Sequence, residues 1–552
     1  MAHSTPREAE LSFRPSSRPA VALRSLADAA SGTGLSTAVE GDGSVSVHGV
    51  CMDSRAVQPG DLYAAAPGAN RHGADFASAA AEAGAAAILT DSEGATAARL
   101  AGLPVLLVDS VREAVGVLAG IVYGTAGNAP RLLGVTGTNG KTTTTYFVRS
   151  LLNALGHATG LIGTIEIVAG DTPVPSVLTT PEAPQLHALM ARMRESGISA
   201  TAMEVSSHSV DYRRIGGLHF AVAGFTNLTQ DHLDLHGSME AYFASKAELF
   251  TPERTRRAVV TVDDEWGRRL AKARGAGVWT LATRRGRETD GDAGADDVGA
   301  RHWRVGSVAP DGLGHSFELH GPDGARLRAR TGLPGLFNVS NAALAVLMVL
   351  ASGADASALQ RALDEADPLT VSVPGRMQVV CESPAGIVDF AHNADALQRA
   401  IDAVRGPAKG SRVILVFGAT GQRDATKRPV MGAVAARHAD VVIVTDDDPH
   451  DEEPAGIRRA VLRGARDAID SEGLSSVVHE EFPRARAIAA AAAMASPEDT
   501  ILVAGRGHEV WQEVMGENLP LDDRVELRNA LAERGFKVIP ASADSSGTAA
   551  RE

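Results

Sequence analysis

Cysteine is nearly absent from this chain of 552 residues. Cys51 and Cys381 lie far apart and neither sits in a CxxC spacing, which excludes a disulfide framework and a thiolate zinc site. So little cysteine suits a reducing compartment, and a cytoplasmic protein is expected. Long apolar runs are missing as well: nothing approaches the about 18 consecutive apolar residues that cross a bilayer. Met1 to Pro19 carries scattered Arg and Pro without the apolar centre of a signal peptide. Positive charge is not in excess, since 53 Lys and Arg against 67 Asp and Glu leave a formal charge of −14, whereas nucleic-acid binders present a basic face. Neither membrane nor nucleic acid is an expected partner, a monomer is the expected form, and any polyanion must be held locally. No internal repeat occurs.

What is present is a globular composition, 44% hydrophobic and 22% charged, able to bury enough apolar surface to offset lost conformational entropy. At roughly 100–200 residues per domain the length predicts several α/β domains, and three are expected. Residues 22–125 read as a small α/β domain, 126–371 as a central P-loop-type domain with a mainly parallel sheet, and 372–540 as a Rossmann-like, doubly wound domain. Residues 1–21 and 541–552, rich in Ser, Pro, Ala and charge, are expected as disordered tails, and Arg284 to Arg301 as an exposed loop.

The clearest chemical signal opens the central domain. An apolar strand, Arg131 to Thr136, runs into Gly134-Val-Thr-Gly-Thr-Asn-Gly-Lys-Thr142 and then a helix. Glycines let backbone amides turn toward phosphate oxygens, a helix N-terminus favours negative charge, Lys141 reaches the terminal phosphates, and Thr142 can ligate Mg²⁺. The strict GxxxxGK[ST] pattern is not met, because Val135 stands where it needs glycine. Two later strands end in polar segments, Glu204-Val-Ser-Ser-His208 and Asn227-Leu-Thr-Gln-Asp-His232-Leu-Asp234, at the edge where open α/β sheets bind ligands. Glu204, His232 and Thr142 could share a magnesium ion, a cation that takes few protein ligands and the rest from substrate and water. Read from its helix alone, Tyr242 to Phe250, Lys246 is a surface lysine.

Gly137-Thr-Asn-Gly-Lys-Thr142 resembles the ATP loop of the Mur ligases, which add amino acids to the nucleotide-linked precursor of peptidoglycan. The resemblance spans roughly residues 45–535 and implies ATP and Mg²⁺ held by Gly137, Thr138, Asn139, Gly140, Lys141, Thr142 and Thr143. It further implies Asn338 in Leu333-Pro-Gly-Leu-Phe-Asn-Val-Ser-Asn341, Arg376 in Val373-Pro-Gly-Arg, and Asp389 in Val388-Asp-Phe-Ala-His392 around the nucleotide. It makes Lys141, Glu204, His232 and Lys246 the catalytic group, with Lys246 carbamylated so that it can sit beside magnesium. A UDP-MurNAc-dipeptide-like substrate is implied at Ser54 in Met52-Asp-Ser-Arg55 and at Thr179, Thr180, Ser206 and Arg214. A free amino acid, diaminopimelate or lysine-like, is implied at Arg423, Asp447, Asp448, His450, Gly505 and Glu509.

Some positions depart from the family pattern. Asp447-Asp-Pro-His450 stands where diaminopimelate users carry Asp-Asn-Pro-Arg, and a mostly neutral histidine does not replace a guanidinium. Tyr212, Gln422, Asn393-Ala394 and Arg506 replace Gln, Asp, Thr-Pro and Lys. Three readings therefore stand open: the peptidoglycan ligase, a paralogue joining a different amino acid or acceptor, and a nucleotide-triggered regulatory NTPase.

Overall fold

A computed structural model describes residues 6–541 apart from 18, 69, 171–173, 175, 177, 276, 284–300 and 407–409. Most of the loop expected between Arg284 and Arg301, and all but the first residue of the expected tail 541–552, lie outside the described residues.

The central sheet is built around Arg131–Thr136, whose residues 132–136 are all buried. Leu132 faces one core with Leu189 and Phe225, while Leu133 and Val135 face another with Phe147 and Leu347, as the period of two requires of a strand covered on both sides. Its parallel neighbours are Ala200–Glu204 and Phe220–Phe225, in register so that Glu204 pairs with Val135 and Phe225 with Thr136. That register brings three strand ends, and the polar segments after them, to one edge. The helices Lys141–Ala154 and Leu336–Ala351 pack together on one face, the latter apolar almost all round and buried accordingly. Six of the nine strand pairings are parallel. The antiparallel extension His302–Asp311, Gly314–His320 and Arg326–Thr331 was not anticipated; its last strand alternates exposed and buried residues, as a strand covered on one face does.

In the C-terminal sheet the strand order is Gln378–Glu382, Ala385–Asp389, Thr500–Ala504, Val413–Phe417, Val441–Val444, Val477–Glu480, all parallel after the first pair. Val413, Leu415 and Phe417 pack under the helices Ala394–Val404, Lys427–His438 and Pro454–Glu472, and Ile414 and Val416 under Arg484–Met494 and Asp523–Glu533. Helices thus cover both faces. The N-terminal sheet has the order Thr37–Glu40, Val105–Val108, Ala87–Thr90, Asp61–Ala64, Gly49–Cys51. Its core is continuous with that of the central domain.

Of the tail expected as disordered over residues 1–21, residues 1–5 lie outside the described residues, and the helix Pro6–Phe13 with the segment after it corrects the expectation for the rest that is described. Phe13 is buried, Arg14 donates to both oxygens of buried Asp61 at 2.6 and 2.7 Å, and the amides of Ser16 and Ser17 cap Glu195. Polar composition had suggested solvation, but these charges have buried or fixed partners. Both cysteines are buried and unpaired, and no helix among the described residues is long and apolar enough to cross a membrane.

One fully buried ion pair fastens the C-terminal edge. Arg484 donates to Asp523 twice at 2.8 Å and to the carbonyls of Ala504 and Asp446 at 2.9 and 3.1 Å. Removing one partner strands a buried charge. Asp523→Ala is expected to cost about 3–5 kcal/mol in urea unfolding; a change below about 1 kcal/mol would contradict this reading.

Candidate active site

The loop after Thr136 is held by tight steric constraints. Gly137 has φ 144° and Gly140 φ 89°; a Cβ on Gly137 would fall 1.9 Å from Thr226 Oγ1, and one on Gly140 would fall 2.3 Å from Asn341 Oδ1. Both positions need glycine for backbone shape and for space. The next strand end braces the loop: the amides of Thr138 and Asn139 donate to the Asn227 carbonyl and side chain at 2.9 and 3.1 Å. Lys141 Nζ donates to the carbonyls of Gly137 and Thr138 at 3.0 and 2.9 Å. Thr143 is buried in the first turn of the helix.

Glu204 ends the adjacent strand, and its carboxylate accepts from Thr142 Oγ1 at 3.0 Å, the Thr164 amide at 2.9 Å and Thr164 Oγ1 at 3.2 Å. Thr164 Oγ1 in turn lies 3.0 Å from Thr179 Oγ1. Thr180 Oγ1 donates to the Glu204 carbonyl at 2.9 Å, the Ser206 amide donates to Thr180, and Arg214 reaches the Thr180 carbonyl and Glu182. Of the residues expected at the acceptor, Thr179 is thus linked through Thr164 to the carboxylate bonded to the phosphate loop, while Thr180, Ser206 and Arg214 are linked to the backbone carbonyl of Glu204. Thr164 was missed. Its signal was positional: Gly163-Thr164 follows the strand Thr159–Ile162 at the same sheet edge as Glu204.

Lys246 corrects its reading as a surface residue. It is 1% exposed, its Nζ donates to the Gly137 carbonyl at 2.9 Å, and it lies 4.5 Å from the centre of the Tyr242 ring. Burial first, then the Lys141 charge, holds its pKa well below the usual lysine range. His232 adopts φ 52° and stands edge-on to His208 at 5.1 Å, beside Tyr242. Desolvation, then Lys141, His208 and Lys246, lowers its pKa against the opposing pull of Asp231. Lys141 Nζ and Lys246 Nζ both donate to the Gly137 carbonyl, and His232 lies within electrostatic reach of both lysines.

The C-terminal domain closes on this edge. Asn139 Nδ2 donates to Asp395 at 3.3 Å, and Asp231 lies 3.9 Å from the nearer ring nitrogens of both His232 and His392. Arg376 stacks 4.1 Å over Phe390, and its electrostatic neighbours are Asp389, Glu204 and Glu509. Asp389 accepts from the amides of Met377 and Ala391 at 2.7 and 2.9 Å, which fixes the turn that carries Arg376. Asn338, expected around the nucleotide, is buried, with its side-chain amide donating to the Pro334 carbonyl at 2.7 Å and its oxygen accepting from Asn341 at 3.1 Å.

Farther along the C-terminal edge Asp447, Asp448, Gly505, Glu509 and His450 gather. A Cβ on Gly505 would fall 2.4 Å from Asp447 Oδ2. Desolvation, reinforced by Asp447 and Asp448, pushes the Glu509 pKa up to about 8. Arg423 is exposed and has no hydrogen-bond or ion-pair partner among the described residues. Ser54 lies in the N-terminal domain, after the strand Gly49–Cys51 and hydrogen-bonded with Tyr63. Other departures have local work: Asn393 caps the helix Ala394–Val404, and Tyr212 is sandwiched by Arg112 and Arg214, each 5.5 Å from its ring.

A simple NTPase has no need of a further domain bringing an arginine and an acidic pocket to its phosphate loop. Joining two substrates does, so fold and site describe a nucleotide-driven ligase. Comparison with known proteins gives the same answer: residues 135–349 match the Mur ligase middle domain, 375–507 the Mur ligase glutamate ligase domain, and 46–123 the Mur ligase family catalytic domain. The chain is 44% identical to UDP-N-acetylmuramyl-tripeptide synthetase of Leifsonia xyli subsp. xyli, over 93% of this chain and 97% of that protein. It is 44% identical to UDP-N-acetylmuramoyl-L-alanyl-D-glutamate--2,6-diaminopimelate ligase of Streptomyces coelicolor, over 89% and 93%. A solved structure of a ligase bearing that second name superposes with a TM-score of 0.62 at 28% identity, covering 94% of this chain and all of that one. The chain belongs to the Mur ligase family, ATP-dependent enzymes that form amide bonds.

The loop geometry gives a direct test. Gly137→Ala puts a methyl group against Thr226 and is expected to weaken ATP binding at least about tenfold by calorimetry. Unchanged affinity would remove the loop from the nucleotide site.

Proposed function

We propose that this enzyme adds one free diamino acid, diaminopimelate or lysine-like, to UDP-MurNAc-L-Ala-D-Glu in peptidoglycan precursor synthesis, using ATP. The observation that carries this reading is the hydrogen-bond chain Thr179–Thr164–Glu204–Thr142, which ties the expected acceptor segment to the phosphate loop. The similarity to tripeptide-forming relatives over most of the chain supports it.

The donor set suits magnesium. Mg²⁺ is commonly held by one or two carboxylates plus phosphates and water, and the buried Glu204 carboxylate stands at the hydroxyl of Thr142 in the phosphate loop. Thr142, Glu204, His232 and carbamylated Lys246 would hold it. When bound, it would neutralise charge on the transferred phosphoryl group. The depressed pKa of Lys246 favours the neutral amine, which attacks the carbon of carbon dioxide and loses a proton, so that carbamylation would turn a buried cation into a carboxylate.

In the proposed reaction Ser54, Thr179, Thr180, Ser206 and Arg214 orient the acceptor, so that its D-glutamate γ-carboxylate attacks the γ-phosphorus of ATP. The bond to the β,γ-bridging oxygen breaks, giving an acyl phosphate and ADP. Lys141 and Arg376 stabilise the charge that develops, and positioning supplies most of the acceleration. Arg423 holds the α-carboxylate of the incoming amino acid, whose neutral amine attacks the acyl carbon. Phosphate leaves, the nitrogen loses its proton, and an amide remains.

Two measurements check the division of labour. Arg423→Ala is expected to raise KM for the amino acid about tenfold or more with ATP affinity nearly unchanged; loss of ATP binding instead would overturn the assignment. Depleting bicarbonate should slow phosphate release reversibly in the native enzyme, and a rate insensitive to carbon dioxide in both directions would argue against a carbamate at Lys246.

A further inference from the structure

The segment Glu10 to Ser17, the end of the first helix and the turn after it, belongs to no sheet and yet reaches two domains. Its first anchor is Arg14, 7% exposed, which donates to both oxygens of Asp61, itself 1% exposed. Asp61 opens the strand Asp61–Ala64, and its Oδ2 also accepts from the Gln58 amide at 2.8 Å. Gln58 Nε2 donates to the Ala56 carbonyl at 3.2 Å, and the Ala56 amide donates to the Asp53 carbonyl at 2.9 Å. The loop that carries Ser54 is thereby tied to the Arg14 guanidinium. The strand leading into that loop is shaped around the same pair, because a Cβ on Gly49 would fall 2.4 Å from Asp61 Oδ1 and 2.6 Å from Arg14 Nη1.

The second set of anchors lies on the central-domain helix Ala183–Glu195. Glu10 is buried, 3.6 Å from Arg14, and accepts from Gln185 Nε2 at 2.9 Å. Arg192 donates to the Ser12 carbonyl. Glu195 accepts from the amide and hydroxyl of Ser16 at 2.8 and 2.9 Å and from the Ser17 amide at 2.9 Å. That helix begins just after Thr179-Thr180-Pro181, and its N-cap residue Glu182 accepts from Arg214 at 2.8 Å. One short segment therefore connects the loop of Ser54 to the helix that carries the dipeptide residues.

We propose that Glu10 to Ser17 is a strap that positions the acceptor, with Arg14 as its central positioning residue: it fixes the span between Ser54, at the nucleotide end, and Thr179 and Thr180, at the dipeptide end. This rests on the acceptor assignment above. A ligand held at both ends gains from the connection only while its two half-sites stand at the right separation, and a remote displacement of about 1 Å costs up to about 100-fold. The apolar seam between the two domains is non-directional and does not fix that separation by itself, whereas a bidentate ion pair and charge-assisted hydrogen bonds do. The anchors Asp61, Gln185, Arg192 and Glu195 lie outside the phosphate loop, so ATP affinity is not expected to follow acceptor affinity.

Calorimetry on the full chain measures UDP-MurNAc-L-Ala-D-Glu, UDP alone and ATP separately. Arg14→Ala is expected to weaken the whole acceptor about tenfold or more and ATP by less than about twofold, while Arg14→Lys, which keeps a cation beside Asp61, loses about threefold or less. The double variant Arg192→Ala, Glu195→Ala cuts the strap only from the helix. It is expected to weaken the whole acceptor about threefold or more while UDP alone binds as in the native protein, and in phosphate release the same loss appears in the acceptor KM with kcat nearly unchanged. The double variant decides the outcome if Arg14→Ala does not fold. Whole-acceptor affinity within about twofold of native in the double variant overturns the inference, as does an equal loss for UDP alone or for ATP. A native enzyme that binds ATP but not the acceptor overturns the acceptor assignment itself, and shows this before any variant is made.

Discussion

The site depends on one carboxylate having three donors. Glu204 accepts from Thr142 in the phosphate loop and twice from Thr164 on the neighbouring strand end, and it can do so because parallel pairing aligns Glu204 with Val135. A shift of one residue would turn its side chain to the other face of the sheet and break the link. Gly163 belongs to the same constraint, since a Cβ there would lie 2.4 Å from Glu204 Oε1. The apolar strands are thus more than filler: their register places a charged oxygen within hydrogen-bond reach of the nucleotide loop.

Much of this was readable from residues alone, for definite reasons. Apolar strands such as Val413–Phe417 and Arg131–Thr136 are buried on both faces and declare themselves as continuous runs, and the phosphate loop combines glycine, lysine and hydroxyl in a spacing that few other structures need. Lys246 was not readable as a buried residue from its helix, because its neighbours Ser245 and Glu248 are polar and its environment comes from a loop more than 100 residues earlier. Asp395 was invisible for a similar reason, its partner Asn139 being distant in sequence, and Thr164 offered only its place after a strand. The helix Pro6–Phe13 was missed because composition cannot reveal that Arg14 will find Asp61.

The two ends of the site have opposite electrostatic character. Around the phosphate loop Lys141, Lys246 and Arg376 converge, and burial depresses all three pKa values, so this end is suited to anions that restore their charge. Around Glu509 the acids outnumber the free cations, and burial raises the pKa of Asp448 as well as that of Glu509. A bound anion at the first end and a bound cation at the second would each restore the charged form of the groups around it.

The seams between the three domains are unlike one another. The first two share a continuous apolar core from Phe13 through Val115 to Phe225, further stitched by Gln185 to Glu10 and by Ser16 to Glu195. The third meets the phosphate loop through Asn139–Asp395 and the Asp231–His392 approach, with Phe337 as an apolar toehold. Water can replace the polar pairs at little cost, whereas parting the apolar seam would expose a core. Thermal motion and the release of product therefore have a single easy line of cleavage, with the first two domains travelling as one rigid jaw.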